Sequence, residues 1–379
     1  MNNIYKTILL CCCIFCFSDL LAQKPVDRKA SKQTKNLYKN LSKLSETKIL
    51  FGHQDDLAYG VGWKYQDGRS DIKDVTGEYP SIYGWEIAGL EKDSPINIDS
   101  VPFLKMQEYI RQVYDRGGVN TISWHLDNPS NGKTAWDTTR LTVPLILQGG
   151  KYNGIYNLWL DKVAVFLKQL KGSDGKAIPI IFRPFHELSG SWFWWGKNQC
   201  SPDEYKKLWQ YTANYLSEKK NIHNLLYAYN MADFTSRQEY LERYPGDKYV
   251  DIMSFDAYQF TDPIIDNVFT LKVDKQLSIQ DSLSKEHNKI PAFAETGYEA
   301  VPYSEWWTKV LAKTIGNHRI AYVLVWRNAG FRPEYGKFHY YAPFKGQASE
   351  TDFIKFYNLD KMIFQEKISQ HQIYRKKMF

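Results

Sequence analysis

The sequence predicts a single-domain α/β protein of the (β/α)8 or TIM-barrel class. Eight short apolar runs of strand length recur along the chain, separated by stretches in which apolar residues have helical spacing. Strands that alternate with helices form a parallel sheet, and eight such units close into a barrel. We find no internal repeat and no Pro-, Gly- or Ser-rich linker in the 379 residues, so we expect one domain.

The first segment, residues 1–22, predicts a secretory signal peptide. Lys6 gives a positive start, residues 8–17 form an apolar core, and Leu-Leu-Ala at 20–22 offers a cleavage point before Gln23. The core is too short to span a membrane, and no later segment reaches the necessary length. Because no lipid-attachment pattern closes the signal, we expect an exported protein with its barrel domain over residues 23–379. The periplasm is the favoured location, and secretion is the alternative.

Cysteine content and charge exclude several classes of protein. Four of the five cysteines lie inside the signal, so Cys200 has no partner for an intramolecular disulfide in the mature chain. The net charge of +7 is spread along the sequence, with only a short basic run at 375–377. Nucleic-acid binding requires clustered basic residues and a recognisable module, and neither is present.

The elements can be placed in order along the chain. Leu37, Leu41 and Leu44 predict a helix over residues 31–48, ahead of the first strand. The eight predicted strands cover residues 49–52, 81–85, 119–124, 178–182, 224–229, 251–255, 290–294 and 320–326. The predicted helices between them include residues 103–116, 158–170, 202–219 and 304–315.

The stretch that follows the fourth strand carries the strongest chemical signal. Arg183, His186 and Glu187 come directly after a run that is typical of a buried strand, and four aromatic residues occupy 192–195. His-Glu opens like the zinc motif H-E-x-x-H, but Gly190 stands where the second histidine would be, so the zinc interpretation fails. Aromatic clusters are often core, and we expect one or two of these rings to be core. A carboxyl group beside indole rings is nevertheless suited to a sugar, whose faces stack on flat aromatics.

Polar or aromatic residues follow every predicted strand. The carboxyl ends of parallel strands meet on one face of a barrel, where the active sites of such barrels lie. A sugar-binding cleft on that face would explain all of these residues together. The residues are His53-Gln54-Asp55, Trp85-Glu86, Trp124-His125, His186-Glu187, Asn230, Asp256 with Tyr258, Glu295, and Trp326-Arg327-Asn328.

Two of these carboxylates suggest the hydrolysis of a glycosidic bond. Glu187 follows strand four and Glu295 follows strand seven, on opposite sides of the barrel, so their side chains can converge across its mouth. Glycoside hydrolysis needs one acid for the leaving oxygen and one carboxylate at the anomeric carbon, about 5 Å apart in retaining enzymes. The rivals are Glu86 and Asp256, which suit the support of sugar hydroxyls or strand ends, and Glu299, which we expect at the rim.

Four segments resemble the motifs of glycoside hydrolase family 26, over nearly the whole mature chain and in order. They are RPFHELSGSWFWWG (183–196), SWHLDNP (123–129), FAETGYE (293–299) and VWRNA (325–329). The resemblance implies a (β/α)8 barrel, usually that of a β-mannanase, that cleaves its substrate with retention. It also implies that Glu187 is the general acid/base and Glu295 the nucleophile. Such a mechanism requires no metal and no organic cofactor, and we expect a monomer.

The resemblance assigns substrate-binding roles to six further residues. His125 and His186 would line the subsite where the bond breaks, and His125 could bond substrate hydroxyls. Trp192 would be an aromatic platform next to the acid/base, and Tyr258 would donate its phenol to the nucleophile. Trp326 would form the floor under the glycone sugar, and Arg327 would reach a further glycone subsite.

We therefore expect a β-1,4-mannan or manno-oligosaccharide substrate, cleaved either internally or by release of mannobiose from chain ends. A cleaved signal without a lipid anchor slightly favours mannobiose release from imported oligosaccharides. The connections 127–156 and 259–280 are the candidates for shaping the ends of the cleft. Two alternatives stay open, namely action on another β-glycan such as xylan or mixed-linkage glucan, and a non-catalytic carbohydrate-binding barrel.

Overall fold

Eight parallel strands form the centre of the molecule in the computed structural model, which describes residues 24–334 and 336–376. The predicted signal peptide lies outside these residues. The strands are β1 (Ile49–Gln54), β2 (Ile82–Glu86), β3 (Val119–Trp124), β4 (Ile180–Pro184), β5 (Leu225–Met231), β6 (Ile252–Gln259), β7 (Ile290–Tyr298) and β8 (Tyr322–Val325). They pair in chain order, and β8 closes the ring by pairing with β1, where Leu50 lies opposite Tyr322.

Helices surround this barrel. They are α1 (Lys32–Leu44), α2 (Asp71–Thr76), α3 (Phe103–Asp115), α4 (Thr142–Ile146), α5 (Asn153–Gln169), α6 (Pro202–Asn214), α7 (Arg237–Glu242), α8 (Val268–Glu286), α9 (Lys313–Ile315), α10 (Glu350–Tyr357) and α11 (Gln365–His371). A 3-10 turn spans Leu90–Lys92, and π-helical turns extend α6 over Tyr215–Lys219 and precede α9 over Trp307–Ala312. Local chemistry marks several helix starts. In α6, Ser201 and Glu204 form a reciprocal cap around Pro202.

In the described part of the chain, three short strand elements occur in addition to the ring. Two are hairpins, Tyr59–Gly60 with Trp63–Lys64 and Gly330–Arg332 with Lys337–His339. The third is Met362–Ile363, which pairs with the start of β1. None of the three was predicted from the sequence, because runs of two or three residues carry no measurable periodicity.

The alternation of side chains along the strands produces two apolar layers. Inward residues such as Leu50, Ile181 and Leu324 fill the barrel, and Leu37 and Leu41 of α1 belong to the same cluster. Outward residues such as Phe51 and Phe182 pack in a larger cluster with the helices. Because apolar side chains fill the interior of the barrel, polar chemistry is confined to its mouth.

A β-bulge in β7 interrupts this alternation at the mouth. Phe293 lies opposite Phe255 of β6, yet the next paired residues are Glu295 and Asp256, so β7 has one extra residue there. The pairing with β8 shifts at the same place. A bulge re-aims the side chains that follow it. The side chain of Glu295, which strict alternation would direct towards the helices, therefore contacts inward groups.

The predicted (β/α)8 barrel is confirmed, with all eight strands in the predicted order. The boundaries differ most in β6 and β7, which continue to Gln259 and Tyr298. Tyr258 and Glu295 thus lie within strands and not in the loops after them. No helix of the described part of the chain is long and apolar enough to cross a membrane.

Candidate active site

Glu187 lies in a tight turn three residues after the end of β4. Its backbone has φ of +53°, in the left-handed region that costs a non-glycine residue about 1–2 kcal/mol. The backbone N–H of Glu187 donates to the side-chain oxygen of Asn230 at 3.0 Å, and the indole of Trp192 donates to Glu187 Oε2 at 2.8 Å. These bonds fix the carboxyl group at the mouth.

The surroundings of Glu187 favour its protonated form. Burial is the main cause and the nearby charge of Glu295 the second, and together they raise the pKa of Glu187 to about 7. Sequence reasoning invoked only the neighbouring carboxylate, whereas the structure puts burial first. A carboxyl group with this pKa can donate a proton near neutral pH and accept one later.

Glu295 is held at both of its carboxylate oxygens. Arg183 Nη2 binds Oε1, and the phenol of Tyr258 donates to Oε2 at 2.8 Å. The bonding of Tyr258 is the contact expected from the sequence. Because a donor binds each of its oxygens, the carboxylate of Glu295 is held in one orientation, which suits attack on an electrophile.

A third carboxylate, that of Asp256, lies beside this pair. One ligand oxygen from each of Glu187, Asp256 and Glu295 falls within 4.8 Å of the others. The positive charge that balances these carboxylates comes from the protein itself, because Arg183 Nη1 binds Asp256 Oδ2 at 2.8 Å. Burial alone would lower the pKa of Arg183, but Asp256 and Glu295 raise it. The spacing of Glu187 and Glu295 is that of retaining glycosidases, for which the carboxyl groups lie about 5 Å apart.

His125 and His186 form a hydrogen-bonded chain with Glu86. His125 Nδ1 lies 2.6 Å from Glu86 Oε2, and the two histidine Nε2 atoms lie 3.0 Å apart. Against the effect of burial, Glu86 raises the pKa of His125, whereas burial and the charge of His125 lower the pKa of His186 well below its usual value. These shifts favour a protonated His125, which would donate at both nitrogens, beside a neutral His186. Glu86 is fully buried, as expected for structural support.

The aromatic run after Glu187 divides between core and cleft. Phe193, Trp194 and Trp195 are buried, and Trp192 is 43% exposed. A further ring, that of Trp136, was missed in the sequence. It is 51% exposed and stacks on His125 with centroids 5.2 Å apart and an interplanar angle of 12°. The only signal for Trp136 in the sequence is its position in the connection 127–156, which was expected to shape an end of the cleft. A single tryptophan in a loop has no diagnostic pattern of its own.

Arg327, at the opposite side of the mouth, is tied to an acidic group. Its Nη1 binds Asp99 Oδ1 at 2.5 Å and lies 3.5 Å from the phenol of Tyr59, which donates to Asp55. The sequence placed Arg327 and Asp55 at strand ends, but it did not indicate Asp99, in the loop before α3, or Tyr59, in the first hairpin.

Two remaining predictions concern Trp326 and Glu299. Trp326 is half-buried directly after β8, and its backbone N–H donates to Thr296 in β7. Glu299 binds Lys337 and His339 of the second hairpin and is therefore a rim residue, as expected.

The comparisons with known proteins agree on one family. Residues 26–309 match the model of glycosyl hydrolase family 26. A solved structure of a family 26 β-mannanase from Bacteroides ovatus superposes with a TM-score of 0.87 at 41% identity, covering 92% of this chain and 99% of that one. The catalytic domain of a Bacillus sp. endo-β-1,4-mannanase gives a TM-score of 0.84 at 32% identity, covering 93% and 96%.

Curated relatives point the same way. A mannan endo-1,4-β-mannosidase from Bifidobacterium adolescentis is 32% identical over 90% of this chain, which spans only 35% of that protein's length. Another from Bacillus subtilis is 30% identical, covering 72% of this chain and 73% of the relative. The family match covers most of the chain, and the fold and the paired carboxylates agree with it. The chain therefore belongs to glycosyl hydrolase family 26.

Proposed function

We propose that this protein is a retaining β-mannanase that hydrolyses β-1,4-mannosidic bonds in mannan, galactomannan or manno-oligosaccharides. The single observation that carries the chemistry is the pair Glu187 and Glu295, with oxygens within 4.8 Å and with different environments. The carboxyl group of Glu187 is half-buried and has its pKa raised to about 7, while that of Glu295 binds a guanidinium and a phenol. The names of the curated relatives support mannan as the substrate.

The reaction proceeds in two displacements. Glu187, protonated in the free enzyme, gives its proton to the glycosidic oxygen while Glu295 attacks the anomeric carbon. The bond to the leaving sugar breaks, and a covalent glycosyl-enzyme forms. Glu187, now a carboxylate, takes a proton from water, and the oxygen of that water displaces Glu295 from the anomeric carbon. Two inversions return the original β configuration, and the proton is back on Glu187.

The remaining residues bind the sugar chain. Trp192 and Trp136 offer exposed ring faces on the side of Glu187. Trp326 and Arg327 lie after β8 and supply the glycone side. Both ring nitrogens of His125 already have protein partners, and His186 is only 1% exposed with its Nε2 bound to His125. We therefore assign both histidines the support of the subsite where the bond breaks.

Internal cleavage is the mode that the names of the curated relatives support. Release of mannobiose from chain ends is the second candidate, and one observation favours it. The Arg327–Asp99 pair joins the end of β8 to the loop before α3, and Tyr65 joins the first hairpin to the same loop through Ser100. These contacts connect the loops beside Arg327, on the side to which we assign the glycone sugars, and loops held there would leave room for few sugars. The signal predicted at 1–22 supports export, with the periplasm as destination, and we propose a monomer without a cofactor.

The test is a timed product profile on mannohexaose and polymeric mannan, with xylan and barley β-glucan as controls. We expect activity on the mannose substrates, and proton NMR should show the β anomer as the first product. A ladder of products with a rapid fall in viscosity indicates internal cleavage, and mannobiose alone with persistent viscosity indicates release from ends. Activity confined to xylan or barley glucan would refute the mannan assignment. A chain that binds mannan without hydrolysing it would be a carbohydrate-binding barrel.

A further inference from the structure

Asn230 is a buried strand-end residue to which the reaction above gives no role. It lies near the carboxyl end of β5, and its side chain is inaccessible to solvent. Its Oδ1 accepts the backbone N–H of Glu187 at 3.0 Å and Nη1 of Arg183 at 3.3 Å. Its Nδ2 donates to Oδ1 of Asp256 at 2.9 Å and to the hydroxyl of Ser254 at 3.1 Å. One amide therefore contacts the turn of the acid/base and the ion pair that binds the nucleophile.

The chemistry of these partners fixes the orientation of the amide. A backbone N–H and a guanidinium only donate hydrogen bonds, and the oxygen of Asp256 accepts one. Rotation of the Asn230 amide by 180° would direct its NH2 group at two donors and its oxygen at a carboxylate. Only a side chain that accepts on one side and donates on the other fits here, and among residues of this size that is asparagine.

The backbone of Glu187 depends on this contact. The residue is held at φ of +53°, a conformation that persists only where its surroundings enforce it. The backbone carbonyl of Asn230 also accepts the N–H of Leu188 at 3.4 Å, so two successive N–H groups of the turn bind the same residue. Asn230 itself is immobilised through Asp256, which binds Arg183 and, through it, Glu295.

We propose that Asn230 is a positioning residue that sets the distance of the Glu187 carboxyl group from Glu295, by tying the backbone of Glu187 to the Arg183–Asp256 pair. The inference rests on the proposed function, because it concerns the geometry of that reaction. Asn230 does not touch the substrate in this account. Its effect is on proton donation by Glu187, which requires a hydrogen-bond distance to the leaving oxygen.

The test compares Asn230→Asp with the unchanged enzyme on two substrates. The variant keeps the shape and the acceptor oxygen but replaces the donor that faces Asp256. We expect kcat on mannohexaose to fall about 100-fold, the scale of a 1 Å misplacement, with KM changed less than about threefold. A 2,4-dinitrophenyl β-mannobioside has a leaving group that needs no proton. We expect its kcat/KM to fall at least tenfold less than that of mannohexaose, since the deficit lies in the positioning of the acid.

A matched control is Asn224→Ala, at the other end of the same strand. Asn224 is also a buried asparagine, and its amide donates to the carbonyl of Ile178, away from the mouth. We expect a lower Tm with kcat unchanged. If Asn230→Asp fails to fold, Asn230→Ser removes the same link to Asp256 and is measured in its place.

Equal losses on the two substrates, or a kcat no lower than that of the Asn224 variant, would overturn the positioning role while the mannanase assignment stands. Inactivity of the unchanged chain on both substrates would overturn the proposed function and this inference together.

Discussion

Asp256 and Glu295 lie directly opposite each other on adjacent strands, and the guanidinium of Arg183 binds both. The bulge in β7 creates this relationship, because it aligns Glu295 with Asp256 after Phe293 has paired with Phe255. All three side chains are nearly inaccessible, with exposures of 3% for Arg183, 0% for Asp256 and 5% for Glu295. Glu295, the proposed nucleophile, therefore belongs to a buried charge cluster, so a change to the cluster should affect both the stability of the protein and the reactivity of this carboxylate.

The coupling predicts a stability effect for Arg183→Met. Removal of one partner from a buried ion pair leaves uncompensated charge and costs about 3–5 kcal/mol. We expect thermal unfolding to show a clearly lower Tm and activity to be lost. The double variant Arg183→Met/Asp256→Asn has one fewer uncompensated charge and should recover part of the Tm. A double variant that is less stable than the single one would contradict the charge-cluster explanation.

Removal of the Glu295 carboxylate should abolish turnover if this residue is the nucleophile. We expect Glu295→Ala to lower kcat by at least about 10⁴-fold, as for other covalent catalysts. In the unchanged enzyme, a 2-fluoro-mannosyl substrate with a good leaving group should accumulate as a covalent adduct, and mass spectrometry of peptides should locate it at Glu295. An adduct on Asp256 or Glu86 would transfer the role of nucleophile to that residue.

Removal of the acid/base should have a milder effect that depends on the substrate. We expect Glu187→Ala to lower kcat on mannan by about 10²- to 10⁴-fold. A dinitrophenyl mannobioside should still form the glycosyl-enzyme, and added azide should accelerate its breakdown to a β-glycosyl azide. Failure of azide to increase the rate, in a variant that retains its fold by circular dichroism, would argue against Glu187 in this role.

The raised pKa of Glu187 predicts the alkaline limb of the activity profile. The acid must carry its proton before the first displacement, so kcat/KM should fall as the pH rises through about 7. In Glu295→Gln the neighbouring negative charge is gone, so the pKa of Glu187 should decrease while burial keeps it above the ordinary value. Titration by carboxyl-selective 13C NMR measures this shift directly, and an unchanged or higher pKa would refute the coupling.

The two exposed tryptophans should govern substrate affinity in different ways. Trp136→Ala removes a ring face and should raise KM on mannohexaose several-fold, with little change in kcat. For Trp192 the matched pair is Trp192→Phe, which keeps an aromatic face but loses the N–H bound to Glu187, and Trp192→Ala, which loses both. We expect the alanine variant alone to raise KM strongly. If both variants raise KM equally, the hydrogen bond to Glu187 and not the ring face determines the affinity.

The sequence determined the barrel, because each strand and helix shows its own spacing of apolar residues. This spacing is a local pattern that can be read without knowledge of the fold. It also determined which strand ends carry Glu187 and Glu295, since a polar side chain directly after a buried run has no other place than the mouth. The resemblance of its motifs added the family, and the comparisons confirmed it.

Tertiary structure decided what depends on contacts between distant segments. The extra residue in β7 that aims Glu295 is visible only against the registers of β6 and β8. The pairing of Arg327 with Asp99, the stacking of Trp136 on His125 and the amide of Asn230 between Glu187 and Asp256 join residues from separate loops and strands. Their spacing along the chain carries no period, because such contacts arise only when the closed ring brings all eight strand ends to one face.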